Sequence, residues 1–134
     1  MKQHKNSARS SVDIHLLELV RLRIGYINQC QYSIDLHFNE LKNFGETDHR
    51  LSLVAVWDQV HEFSIKERAI FSLTDYVICP NRKFLSTEIQ DLLIPHFNKE
   101  EISILSQAIR QIDLWTRSMN HHLLETNLKK RKEG

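Results

Sequence analysis

Apolar positions along the chain recur at helical spacing rather than in strict alternation. From Val12 to Tyr26 the residues Ile14, Leu16, Leu17, Leu19, Val20, Leu22 and Ile24 go almost all the way round, the pattern of a helix buried on most sides. Glu18 and Arg21 sit inside that run at i and i+3. A short link, residues 27–29, leads to a second helix from about Cys30 to Phe44, with Gly45 as its left-handed stop. Thr47 caps a third helix through Leu51, Val54, Ala55 and Trp57. Ser64 and Glu67 form a capping box for a fourth, carrying Ile70, Phe71, Leu73, Val77 and Ile78, and Pro80-Asn81-Arg82 breaks it. Ser86 or Thr87 starts a short fifth helix that ends near Pro95. Asn98 and Glu101 make a second capping box, with Phe97 and Ile102 as its hydrophobic staple. The last helix runs from about Lys99 past Trp115 toward Leu124, with Ile102, Leu105, Ile109, Ile112 and Trp115 on one face.

Composition supports this all-α reading. Three glycines and two prolines among 134 residues are too few for the turns of a strand-rich fold. The length is that of one domain, read here as residues 12–128 between a flexible N-terminal segment, 1–11, and a basic tail, 129–134. Eighteen Lys and Arg against seventeen Asp and Glu leave a net charge of +1, which provides no field for nucleic acid or a membrane surface. The basic run Lys129, Lys130, Arg131, Lys132 has no aromatic interleaving and reads as a solvated tail. No apolar stretch approaches the ~18 residues of a membrane helix, and the polar first ten residues are unlike a signal peptide. The expectation is a cytoplasmic protein with two free thiols, Cys30 and Cys79.

Candidate chemistry centres on Cys30. Thiolate is the reactive form of cysteine and is favoured at helix N-termini, where Cys30 falls. Ser33 lies three residues on and His37 four further, so the three share a helix face. A histidine there can accept or relay a proton near neutral pH. Glu18 is the one carboxylate deep in the apolar first helix and can carry a proton. Thiol, histidine and carboxylate on adjacent helices make a plausible relay for thiol redox chemistry. The same residues also fit a structural reading, with Cys30 in the core, Glu18 paired with Arg21 or Arg23, and His37 closing a core hydrogen bond. Other candidates are weaker. Cys79 reads as a helix-end core residue rather than a resolving thiol. His121-His122 point about 100° apart and find no further ligand at metal spacing, so no metal site is assigned. Trp57, Trp115 and Phe71 read as core or subunit contacts, and Asp35 as a solvent-facing residue. No glycine-rich phosphate loop exists, so no nucleotide cofactor is expected.

The stretch from Leu16 to Trp57, LLELVRLRIGYINQCQYSIDLHFNELKNFGETDHRLSLVAVW, resembles the carboxymuconolactone decarboxylase superfamily on its alkylhydroperoxidase D-like branch. That branch reads as an E-L-V-R-L-R helix, then N-x-C-x-Y-C-x-x-x-H, a G-E-T loop and an A-x-W helix. Phe63 to Thr74 and Phe97 to Arg117 resemble its later segments. The resemblance implies an all-α, alkylhydroperoxidase D-like bundle of about six helices that assembles as a trimer or hexamer. It places Glu18 at the acidic position, Cys30 at the first redox cysteine and His37 at the relay histidine. Ser33 stands where the family has its second cysteine, so the two-thiol disulfide cycle gives way to a one-cysteine cycle. In that cycle Cys30 attacks a peroxide, an external thiol resolves the sulfenic acid, and Ser33 is placed to hydrogen-bond the thiolate. The function implied is a thiol-dependent, peroxidase-type antioxidant protein. A non-catalytic binding or assembly module, or a decarboxylase-type enzyme acting on a lactone acid, is the alternative. Asp113 and Thr116 replace asparagines of the family pattern and bear on packing.

Overall fold

The structure is a computed structural model that describes residues 13–79 and 86–133. Among these residues six α-helices follow one another: α1 (Ile14–Ile27), α2 (Gln31–Lys42), α3 (Asp48–Leu53), α4 (Ile65–Ile78), α5 (Ser86–Leu93) and α6 (Lys99–Glu133), with a 3-10 helix (Val54–Gln59) after α3. Among the described residues there is no strand. The caps are those the sequence predicts. Thr47 Oγ1 accepts from Arg50 N–H, the Ser64/Glu67 box is closed in both directions, and Asn98 and Glu101 exchange bonds of 2.9 and 2.7 Å. Gly45 takes φ +90°, the left-handed stop after α2. The Pro80-Asn81-Arg82 break and the N-terminal segment lie outside the described residues.

α1 is the central element, and its all-round apolar pattern has a direct cause. Leu16, Val20 and Ile24 face one hydrophobic cluster, completed by Ile70 and Leu73 of α4, Ile89 and Leu93 of α5, and Leu105 and Ile109 of α6. Leu19 and Leu22 face a second, built with Leu41, Leu51, Val54, Trp57, Phe63 and Phe71. The helix therefore buries two faces against different neighbours.

Two elements differ from expectation. The third helix does not run through Trp57. It gives way at Leu53 to the 3-10 segment, which kinks at Val56 (φ −128°, ψ 37°). The carbonyls of Val54 and Ala55 accept instead from Nη1 of Arg23, at 3.3 and 2.8 Å. The last helix also outruns its predicted end, because the basic run continues α6 to Glu133. Its side chains at 129–131 are exposed.

A polar cluster pins α1, the α2–α3 loop, α3 and α4 together. Arg50 donates to Glu46 at 2.9 and 2.8 Å and to Glu67 at 3.0 and 2.7 Å, while His15 Nε2 lies 2.8 Å from Glu46 Oε2. Donor atoms of His15, Glu46 and Glu67 lie within 4.8 Å of one another, a spacing that suits a metal ion, but Arg50 already bonds both carboxylates bidentately. The bonds from Arg50 hold Glu46 below the ordinary carboxylate range against its burial. At Glu67 burial pushes upward, but the bonds from Arg50 and Ser64 outweigh it and the net shift is again downward. Both groups thus bind protons less well folded than unfolded. Their contribution is complete above the unfolded value of about 4.3 and is lost as pH falls through it toward the folded values. The urea midpoint is expected to stay level down to about pH 5 and then fall steeply. In Arg50→Ala the fall should be shallower, and equal slopes in the two proteins would contradict this account.

Candidate functional site

α1 and α2 meet in a tight reversal. Asn28 closes α1, Gln29 takes φ +51°, and Cys30 is the N-cap of α2 in extended conformation. Cys30 N–H donates to Gly25 O at 3.0 Å. The helices approach closely at Gly25, where an added Cβ would lie 3.3 Å from Ile34 Cγ1 and 3.4 Å from Ser33 Cβ. Glycine is needed there because α2 rests on its backbone. From the other side α6 clamps the reversal. Asn28 Nδ2 donates to Asp113 Oδ1 at 2.8 Å, and Asn120 Nδ2 donates to Asn28 O at 3.3 Å. Asp113 and Thr116 are both buried, in keeping with a packing role.

On this frame Glu18 and His37 come together. His37 Nδ1 lies 2.8 Å from Glu18 Oε1, and Arg21 Nη1 donates to Glu18 Oε2 at 2.6 Å. A carboxylate paired with arginine can only accept, so the proton of this bond sits on Nδ1 and leaves Nε2 for a substrate. Glu18 is 8% exposed, but both of its oxygens are hydrogen-bonded and Arg21 compensates its charge. Of the two arginines open to it from sequence, Glu18 takes Arg21, and Arg23 belongs elsewhere.

His37 and Arg21 line an open pocket of about 390 Å³, with Leu36 of α2 and Ile112, Trp115 and Thr116 of α6. Its walls are mostly apolar. Trp115 is 50% exposed at this pocket, which excludes the core alternative of its reading as core or subunit contact; Trp57 and Phe71 are core. The pocket was not legible in sequence, because Leu36 and Trp115 meet only when α6 lies against α2.

Cys30 and Ser33 occupy the buried side of the same turn. Cys30 is 0% exposed and makes no side-chain capping bond. Ser33 is 1% exposed, and its Oγ has no hydrogen-bond partner. Ser33 Oγ makes no bond to the Cys30 thiol, whose sulfur is a weak acceptor; the bond expected of it is to the thiolate. Asp35 is exposed and accepts from Gln31, as a solvent-facing residue should. Cys79 caps the end of α4 as a free thiol, half-buried.

Residues 2–76 match the carboxymuconolactone decarboxylase family. The chain belongs to that family. The uncharacterised protein YdfG of Bacillus subtilis is 26% identical over 117 residues, 87% of this chain and 80% of that protein. A crystal structure of ATU0492 from Agrobacterium tumefaciens superposes with a TM-score of 0.73 at 26% identity, covering 87% of this chain and 78% of that one. ATU0492 is described as a protein of unknown function suggested to be the antioxidant defence protein AhpD. The family match and this likeness agree with the all-α fold described above.

Proposed function

We propose that this carboxymuconolactone decarboxylase family member reduces peroxides through Cys30, with an external thiol as reductant. The observation that carries the proposal is the Glu18–His37 pair, held at 2.8 Å across α1 and α2 with His37 open to a pocket, about two helical turns from a cysteine at the N-terminus of α2. The thiolate displaces alkoxide from the peroxide, giving a sulfenic acid on Cys30 and an alcohol. The proton given up by the Cys30 thiol passes to His37 Nε2 and from there to the leaving oxygen, while Glu18, accepting from Nδ1–H, holds the ring and balances its charge. Cys30 is fully buried, so the reaction requires opening of the first turn of α2, where Gln31 and Tyr32 are exposed. No thiol stands at Ser33, so an outside thiol completes the cycle in two exchanges. Exposed apolar side chains on α6, among them Leu114, Trp115 and Leu124, support the expectation of a homo-oligomer.

The test is consumption of an organic hydroperoxide by the purified protein with a small dithiol. Turnover that depends on both reagents is expected, and a rate equal to the buffer blank overturns the proposal. His37→Ala is expected to lower that turnover about a hundredfold, the usual share of a positioned proton donor. An unchanged rate would remove His37 from the mechanism.

One observation favours a second reading. The group that reaches the pocket is His37, with Arg21 beside it, while Cys30 is sealed behind. That arrangement suits acid–base chemistry on a small organic acid, such as the decarboxylation of a lactone acid, with Arg21 on the substrate carboxylate. Such an activity would survive loss of the thiol.

A further inference from the structure

Buried polar atoms nearly always have a partner, and Ser33 Oγ has none. Its position gives the vacancy a meaning. Ser33 is the N3 residue of α2 and Cys30 its N-cap. In a capping box the side chain at each of these positions accepts from the backbone N–H of the other. Here it stays open, because sulfur caps poorly and Cys30 N–H is already bonded to Gly25 O. The N–H groups of the first turn have no partner within the helix. The helix start therefore holds a buried sulfur and, three residues on, a buried hydroxyl without a partner, and no side-chain oxygen caps its amides.

We propose that Ser33 Oγ and the first turn of α2 form a binding site for the sulfenate oxygen of oxidised Cys30. This rests on the peroxidase reading of Cys30. The thiolate attacks one oxygen of ROOH, the S–O bond forms and the O–O bond breaks. RO⁻ leaves and takes a proton to become ROH, sulfur is oxidised by two electrons, and the peroxide is reduced by two. The new oxygen accepts from Ser33 and the first-turn amides as an aspartate cap would, at the positive end of the helix. Those bonds withdraw charge from sulfur and slow its attack on a second peroxide, the step that yields sulfinate and a second ROH. The one-oxygen state then persists until R′SH converts it to Cys30–S–SR′ and water, and a further R′SH releases the thiol and R′SSR′.

The experiment compares Ser33 with Ser33→Ala, each in a Cys79→Ser background so that only Cys30 reports. Cumene hydroperoxide is added in excess without thiol. Sulfenate is trapped with dimedone, and sulfinate is followed by intact mass. The alanine variant is expected to pass to sulfinate about tenfold faster, the size of one hydrogen bond to a charged group. Its reduced form should melt no lower than the parent, because the deleted hydroxyl has no partner to lose. A merely structural serine would instead lower the melting temperature and leave the sulfinate rate unchanged. Equal sulfinate rates, with sulfenate trapped in both proteins, overturn the inference and leave the peroxidase reading standing. No oxidation of Cys30 in either protein overturns both.

Discussion

Replacing Cys30 by serine is expected to reduce thiol-dependent peroxide consumption to the uncatalysed rate, a loss of roughly 10³-fold or more. A hydroxyl is far less nucleophilic than a thiolate at neutral pH, and no second thiol stands at position 33 to take over. The fold should tolerate the change. Serine is a favoured N-cap, and its oxygen can accept from the first-turn amides that sulfur leaves unbonded. Melting temperature and helix content of Cys30→Ser should therefore match or exceed the parent, so that any loss is chemical. Cys79→Ser should retain full turnover. The same pair of variants separates the two functional readings. An acid–base enzyme built on His37 and Glu18 keeps its activity in Cys30→Ser and loses it in His37→Ala, whereas a peroxidase loses activity in both. Peroxide consumption that survives in Cys30→Ser removes the thiol from the mechanism.

Much of the helical framework could be read from capping chemistry. Ser64 with Glu67, Asn98 with Glu101, Thr47 and Gly45 fix element ends through local hydrogen bonds and one left-handed residue, all encoded within four positions of chain. The kink at Val56 could not be read this way. Its cause is Arg23, more than thirty residues earlier, which binds the carbonyls of Val54 and Ala55. The site divides along the same line. Cys30, Ser33 and His37 share a helix, so their common face follows from spacing. That Glu18 meets His37 was suggested by motif and is found at 2.8 Å. That Arg21 and Trp115 shape the pocket depends on how α1, α2 and α6 pack, which no local pattern records. Exposure was the other hidden quantity. A helix N-terminus suggests a reactive thiol, yet Cys30 is wholly buried because α2 rests directly on Gly25.

The largest effect on stability is expected at Asp75, which the apolar run of α4 conceals. Its Oδ1 accepts from Arg23 Nε at 2.8 Å, and its Oδ2 accepts from Arg23 Nη2 at 2.9 Å and from Trp57 Nε1 at 3.0 Å. Asp75 is 0% exposed and Arg23 6%. Asp75→Ala leaves a buried guanidinium without its counter-charge and an indole N–H without its acceptor. Breaking a buried pair in this way costs about 3–5 kcal/mol, a large part of the roughly 5–15 kcal/mol that holds a domain together. Urea unfolding of Asp75→Ala should show a loss of that size. Arg23→Ala also frees the carbonyls of Val54 and Ala55, and with them the kinked segment that seats Trp57. In the double variant neither charge is stranded, so its loss should be smaller than the sum of the two single losses by about 2 kcal/mol or more, as expected for directly contacting residues. Simple additivity would mean that the pair is held by its surroundings rather than by each other. The pair joins α1 to α4 through bonds that involve neither Glu18, Arg21 nor His37, so its rupture is expected to lower global stability before it alters the Glu18–His37 geometry. Activity per folded molecule at low temperature should then stay near the parental value while the melting temperature falls. A variant that stays fully folded with turnover lost would place Asp75 in the site itself.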